Sequence, residues 1–299
     1  MKAASGFRAP ISLADIVRRT IAEVSHDNCI GLAAQLAFYF FLALFPALLF
    51  LVALLGYLPI DRALTTLLAA LGPVAPAEMI ALLRGQIDEL RQGSHASLLT
   101  VGILGAIWSS SAATVAIIDA LNHAYDVAER RPWWKRRLVA LGLTIGLAVF
   151  IVAALLFVLI GPDVVRWAGG RFGFASGVAG AWAIVRWPLI ISFVMLGVDL
   201  VYHFAPNLRR DWAWITPGSM LATVLWIASS LAFKLYVSRF ADFNATHGAI
   251  GGVVVILLWF YVSSFAILIG AELNGVIEHA RRERPGDGGG MGFVGPGPG

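Results

Sequence analysis

Six long apolar runs constrain this chain more than anything else in it. They cover 33–58, 97–121, 138–160, 182–204, 213–237 and 249–271, and each holds at least 23 residues. A helix needs about 20 apolar residues to cross a hydrocarbon core about 30 Å thick. Peptide groups in lipid must bond within their own segment or a closed barrel. Barrel strands would alternate in stretches of about ten residues, and these runs do not alternate. The expectation is therefore an all-α, polytopic membrane protein with six transmembrane helices. A charged content of 13% and a mean hydropathy of +0.80 fit that class, since globular chains carry about 25% charged residues.

Basic residues orient short-loop membrane proteins, with the excess facing the cytoplasm. Placing the N-terminus inside puts Lys2, Arg8, Arg18, Arg19, Arg130, Arg131, Lys135, Arg136, Arg137, Arg209, Arg210, Arg281, Arg282 and Arg284 on the inner side. Arg62, Arg84, Arg91, Arg166 and Arg171 fall outside. Both termini are thus expected on the cytoplasmic side.

Outside the runs the chain divides simply. Residues 1–32 form a cytoplasmic segment without a recognisable signal peptide. In it Ser12-Leu-Ala-Asp15 reads as a capping box. Leu13, Ile16, Val17, Ile21 and Val24 then recur at helical spacing, as in a helix lying on the inner membrane face. Residues 33–278 are the membrane domain, and 59–96 form an outer helical loop. That loop carries an apolar stripe of Met79, Ile80, Leu83, Ile87 and Leu90, which needs the bundle rim, headgroups or a protein partner to cover it. Residues 279–299 read as a disordered Gly/Pro-rich cytoplasmic tail. The single cysteine, Cys29, reads as a small core residue.

Ionisable residues inside spans are functional candidates. Asp119, Asp199 and Glu272 lie near the inner ends of spans two, four and six. Asp119 and His123, like Asp199 and His203, are spaced i, i+4 and can meet on one helix face. With Gln35, Asn122, Tyr202 and Asn274 they suggest a polar cluster in the inner third of the bundle. The cluster can lock helix ends together or line a vestibule for a solute, lipid headgroup or proton. As a metal site the pattern is unspecific, and no metal or cofactor is expected. Asn244 and His247, in a short polar loop at 240–248, could face an outer cavity or cap span six. Pro46 should kink span one. Gly142 and Gly146, spaced as small-x-x-x-small, suggest close helix packing.

Several stretches together resemble the YihY/BrkB family of bacterial inner-membrane proteins. They include Ala34-Gln-Leu-Ala-Phe-Tyr-Phe-Phe-Leu-Ala-Leu-Phe-Pro46, Trp108-Ser-Ser-Ser, Ala120-Leu-Asn-His-Ala-Tyr125 and Arg131-Pro-Trp-Trp-Lys135. Phe204-Ala-Pro-Asn207, Thr216-Pro-Gly218, Phe233-Lys-Leu-Tyr-Val237, Gly248-Ala-Ile-Gly-Gly252, Leu258-Trp-Phe-Tyr261 and Gly270-Ala-Glu-Leu-Asn274 follow in order. The resemblance implies a six-helix inner-membrane fold and little about activity. Members have carried a ribonuclease BN label and a virulence-factor label. The residues give the first no support: His26, His95, His123, His203, His247 and His279 are scattered over both membrane sides, and there is no P-loop or aromatic-basic RNA platform.

The expected function is non-enzymatic: transport or shelter of a lipid-like or small polar substrate in envelope maintenance. The rival is an envelope scaffold without a transported substrate, acting through 59–96 and the basic stretch Arg130–Arg137. Membrane lipids are expected partners and nucleic acid is not. An envelope protein on 59–96 and a homo-oligomer both stay open.

Overall fold

A computed structural model describes residues 12–56, 79–81, 85, 96–172, 175–208, 214–239 and 243–282. It is helical, with no strand among the described residues. We number the helices α1 (Leu13–His26), α2 (Cys29–Gly56), α3 (Ala96–Ala124), α4 (Trp133–Phe172), α5 (Ala175–Phe204), α6 (Pro217–Arg239) and α7 (Phe243–Arg282). Among the described residues, α2, α4, α5, α6 and α7 are long and apolar enough to cross a membrane. The second apolar run forms α3, 29 residues long.

The helices outrun their apolar stretches. α7 has 40 residues because its C-terminal part is also packed: Asn274, Val276, Ile277 and Ala280 are buried. Residues 279–282, assigned above to the tail, belong to this helix; the rest of the tail lies outside the described residues. At its other end α7 begins at Phe243, so Asn244 and His247 lie on helical backbone and not in a loop. Pro46 sits inside α2. The outer segment 59–96 falls almost wholly outside the described residues.

Local chemistry explains the ends that matter. Ser12 caps α1, its hydroxyl oxygen accepting from the Asp15 amide at 3.1 Å. Ile16 and Thr20 of α1 are buried, while Leu13, Val17 and Ile21 stay exposed, so its apolar stripe divides between bundle and surroundings. Asn28 joins α1 to α2 with φ 49°, and Asp126 ends α3 with φ 50°. Short polar side chains tolerate this left-handed geometry. At α3 the Val127 amide then bonds the Asn122 carbonyl at 2.9 Å, closing the helix end.

α2 lies between α3 and α7, α6 runs along α7, and α4 pairs with α5. α4 also touches α3 and α5 touches α6, which closes a ring; α1 rests on α7 and α2. Glycines set the tightest crossing, but not those at the expected spacing. Open space surrounds Gly142 and Gly146. At Gly218 of α6 and Gly270 of α7, a Cβ on either would run into the other's carbonyl oxygen. This close approach draws α6 and α7 together just where the polar side chains concentrate.

Candidate functional site: a polar layer beside an apolar cavity

The turn into α6 builds the first polar node. Thr216 precedes Pro217, whose missing amide suits a first helical position. Thr216 and Ser219 cap each other, each amide 3.2 Å from the other's hydroxyl. Asp199 of α5 sits against this helix start, where the backbone dipole favours an anion. Its carboxylate accepts from the Thr216 hydroxyl at 2.6 Å and the Ser219 hydroxyl at 2.7 Å. From α7, the Asn274 amide oxygen accepts from the Gly218 amide at 2.8 Å, and its nitrogen donates to the Thr216 hydroxyl at 2.9 Å and to Tyr125 at 3.3 Å. Tyr202 donates to the Ile267 carbonyl of α7 at 2.5 Å. The structure thus places Asp199 and Tyr202 of α5 and Asn274 of α7 around the start of α6. Thr216, Gly218, Ser219 and Tyr125 complete the node, and the signal for them was the Thr-Pro-Gly-Ser start of α6.

The other carboxylates lie apart from it. Glu272 is buried and accepts from the Cys29 thiol of α2 at 3.1 Å. Asp119 is half-buried and pairs with Arg136 at 2.8 Å. The expected Asp119–His123 side-chain pairing gives way to another bond, because the His123 ring nitrogen lies 2.8 Å from the Asp119 backbone carbonyl. In a helix that carbonyl is the nearest acceptor for a side chain one turn on. His203 packs edge-on against Phe204, ring centroids 4.8 Å apart. Gln35 is exposed on α2.

A third node ties the segments that follow α3 and α5. Asn122 donates to Glu129 at 2.9 Å and accepts from the Asn207 amide at 2.7 Å. Arg131 pairs with Glu129 at 2.7 Å and reaches the Ala205 carbonyl at 2.9 Å. Burial raises the Glu129 carboxyl, but the Arg131 side chain and amide, with Asn122, outweigh it and hold the group below its ordinary value. Much of the basic stretch is therefore committed within the protein. Arg136 pairs with Asp119, and Arg137 bonds the Trp108 carbonyl at 3.0 Å with its guanidinium over the Trp108 ring.

Beside this layer lies a cavity of about 460 Å³. Five helices wall it, through residues such as Phe40 of α2, Leu121 of α3, Phe150 of α4, Val198 of α5 and Leu268 of α7. Neither Asp199 nor Glu272 lines it, though Val198 and Val201 flank Asp199 in sequence. Among the described residues no charged side chain lines it, and Ser264 is the one polar residue on its wall. The volume falls in the range of about 300–1,000 Å³ usual for small-molecule sites. The arrangement can hold an apolar chain.

The chain matches the model of the family described as "Virulence factor BrkB" over residues 20–290. It is similar to YfkH of Bacillus subtilis (strain 168), a protein named as ribonuclease-like, with 36% identity over 253 residues, covering 85% of this chain and 91% of that one. It is also similar to a UPF0761 membrane protein of Tolumonas auensis, with 24% identity over 259 residues, covering 85% and 82%. Against another from Alkalilimnicola ehrlichii the identity is 25% over 277 residues, covering 89% and 57%. No solved structure matches the chain. The extent of the family match, with apolar helices running through it, identifies the chain as a multi-pass integral membrane protein of the Virulence factor BrkB family.

Proposed function

We propose that this protein is a non-enzymatic bacterial inner-membrane protein that moves or shelters a lipid-like amphiphile in maintenance of the cell envelope. Six helices, α2 to α7, span the bilayer, with both termini on the cytoplasmic side. The observation that carries the reading is the apolar cavity of about 460 Å³ walled by α2, α3, α4, α5 and α7. It is partly open to the surroundings, Ile151 on its wall being exposed, and within a membrane the abundant apolar occupant of such a site is a lipid chain. A small polar substrate would find almost no partner on these walls. The inner polar layer supports the reading indirectly, because its bonds run from helix to helix and hold the bundle around the cavity.

The test is native mass spectrometry of protein released from nanodiscs of bacterial lipid. Wild type is expected to retain lipid that Ala154→Phe, which fills the cavity from α4, does not. Equal retention by both proteins overturns the reading. One observation favours the scaffold alternative: Asp199, Asn122, Glu129 and Arg131 all bond within the chain. Under it, neither protein retains lipid, and Ala154→Phe still rescues a deletion strain.

A further inference from the structure

Ser264 is the odd residue of the cavity wall. It is fully buried, it lines the cavity, and its hydroxyl has no hydrogen-bond partner. Helical hydroxyls commonly bond the carbonyl one turn back. Thr114, Thr144 and Ser192 do so here, onto Ser110, Ala140 and Pro188. Ser264 keeps its donor unspent, and a buried donor without an acceptor is costly. An occupant that brings one acceptor removes that cost.

The remaining walls say what else the occupant must be. They are apolar, with Phe40, Phe150 and Phe193 among them and no charged side chain among the described residues. A charged headgroup would lose its water there and gain no partner. Along α5 the lining runs from Ile190 to Val201, twelve residues and about 17 Å of helix. That is close to one leaflet's half of a hydrocarbon core about 30 Å thick. Ser264 lies eight residues, about 12 Å of helix, from the inner level of Glu272. A carbonyl at Ser264 is therefore displaced from the interfacial depth where lipid esters rest.

We infer that the cavity binds an uncharged acyl lipid, an acylglycerol, whose ester carbonyl accepts a hydrogen bond from Ser264. This rests on the lipid reading above and narrows it to a lipid drawn in from the interface, which is what movement requires.

The test offers the purified protein dioleoylglycerol, its diether analogue without carbonyls, and dioleoyl phosphatidylglycerol, with retention read by native mass spectrometry. Wild type is expected to retain the diester over the diether by roughly fivefold, the effect of one hydrogen bond. Ser264→Ala is expected to retain both equally, and Ser264→Thr to keep the preference. Equal retention of diester and diether by wild type overturns the role of Ser264 and leaves the lipid cavity standing. Displacement of the acylglycerol by phosphatidylglycerol overturns the uncharged assignment. Retention of none of the three overturns this inference and the proposed function together.

Discussion

Replacing Asp199 with alanine tests whether the inner polar layer holds the bundle together. The side chain is 1% exposed and takes hydrogen bonds from two hydroxyls. A buried donor stripped of its acceptor costs about 1–3 kcal/mol. Both bonds are lost, but not both in full, since the Ser219 hydroxyl also lies 2.9 Å from the Thr216 carbonyl and can turn to it. The Thr216 hydroxyl already accepts from Asn274 and the Ser219 amide, so it keeps those bonds and loses its own acceptor. The net loss is about 3 kcal/mol, the size expected when buried donors are left without acceptors. At about 2–4 °C per kcal/mol, the melting temperature in detergent should fall by roughly 6–12 °C. Asp199→Asn keeps one acceptor oxygen and should lose roughly half as much. Lipid retained by the folded fraction should be unchanged. An unaltered melting temperature with lost lipid would refute the reasoning, making Asp199 a substrate contact and not a structural anchor.

Gly270→Ala should be more damaging than its size suggests. Its Cβ would sit 2.6 Å from the Tyr202 hydroxyl and 2.7 Å from the Ala222 Cβ, so α6 and α7 must part at a cost of about 1–3 kcal/mol, read as a lost monodisperse peak in size exclusion. Glu129 is held below its ordinary value of 4.5. Its stabilisation is therefore complete above that value and disappears as the pH falls through the lower folded one; melting temperatures of wild type and Glu129→Gln should differ at neutral pH and converge in strong acid. A fluorophore on Val17→Cys should be quenched by brominated lipid, because Leu13, Val17 and Ile21 present an exposed apolar row while Cys29 is buried from label. Absence of quenching would place α1 away from the bilayer.

The fold class was legible because lipid leaves so few options. Uninterrupted apolar runs above the spanning length admit only helices, and their periodicity needs no tertiary knowledge. The helix ends were less so: α7 continues past its apolar run because Val276, Ile277 and Ala280 find a buried surface, and nothing local in 272–282 says that α1 and α3 will provide it. Asp119, Asp199 and Glu272 have similar places along their helices, which suggested one cluster. Depth does not determine azimuth, and the three turn to Arg136, the α6 cap and Cys29 respectively. Thr216 and Ser219 escaped notice as site residues because a cap motif says nothing about which distant carboxylate it will meet. The cavity was illegible for a plainer reason, since a void among Leu, Val and Phe leaves the same composition as a packed wall.

Occupation of the cavity by a lipid chain is tested most directly by photo-crosslinking with a lipid carrying a diazirine in its acyl chain. Cavity-lining Val194, Val198 and Val201 of α5 should be labelled in wild type and protected in Ala154→Phe. The outward-facing Val149 and Val224, 64% and 58% exposed, should be labelled in both. Labelling confined to those outer residues, identical in the two proteins, would contradict a lipid-binding cavity and leave a scaffold.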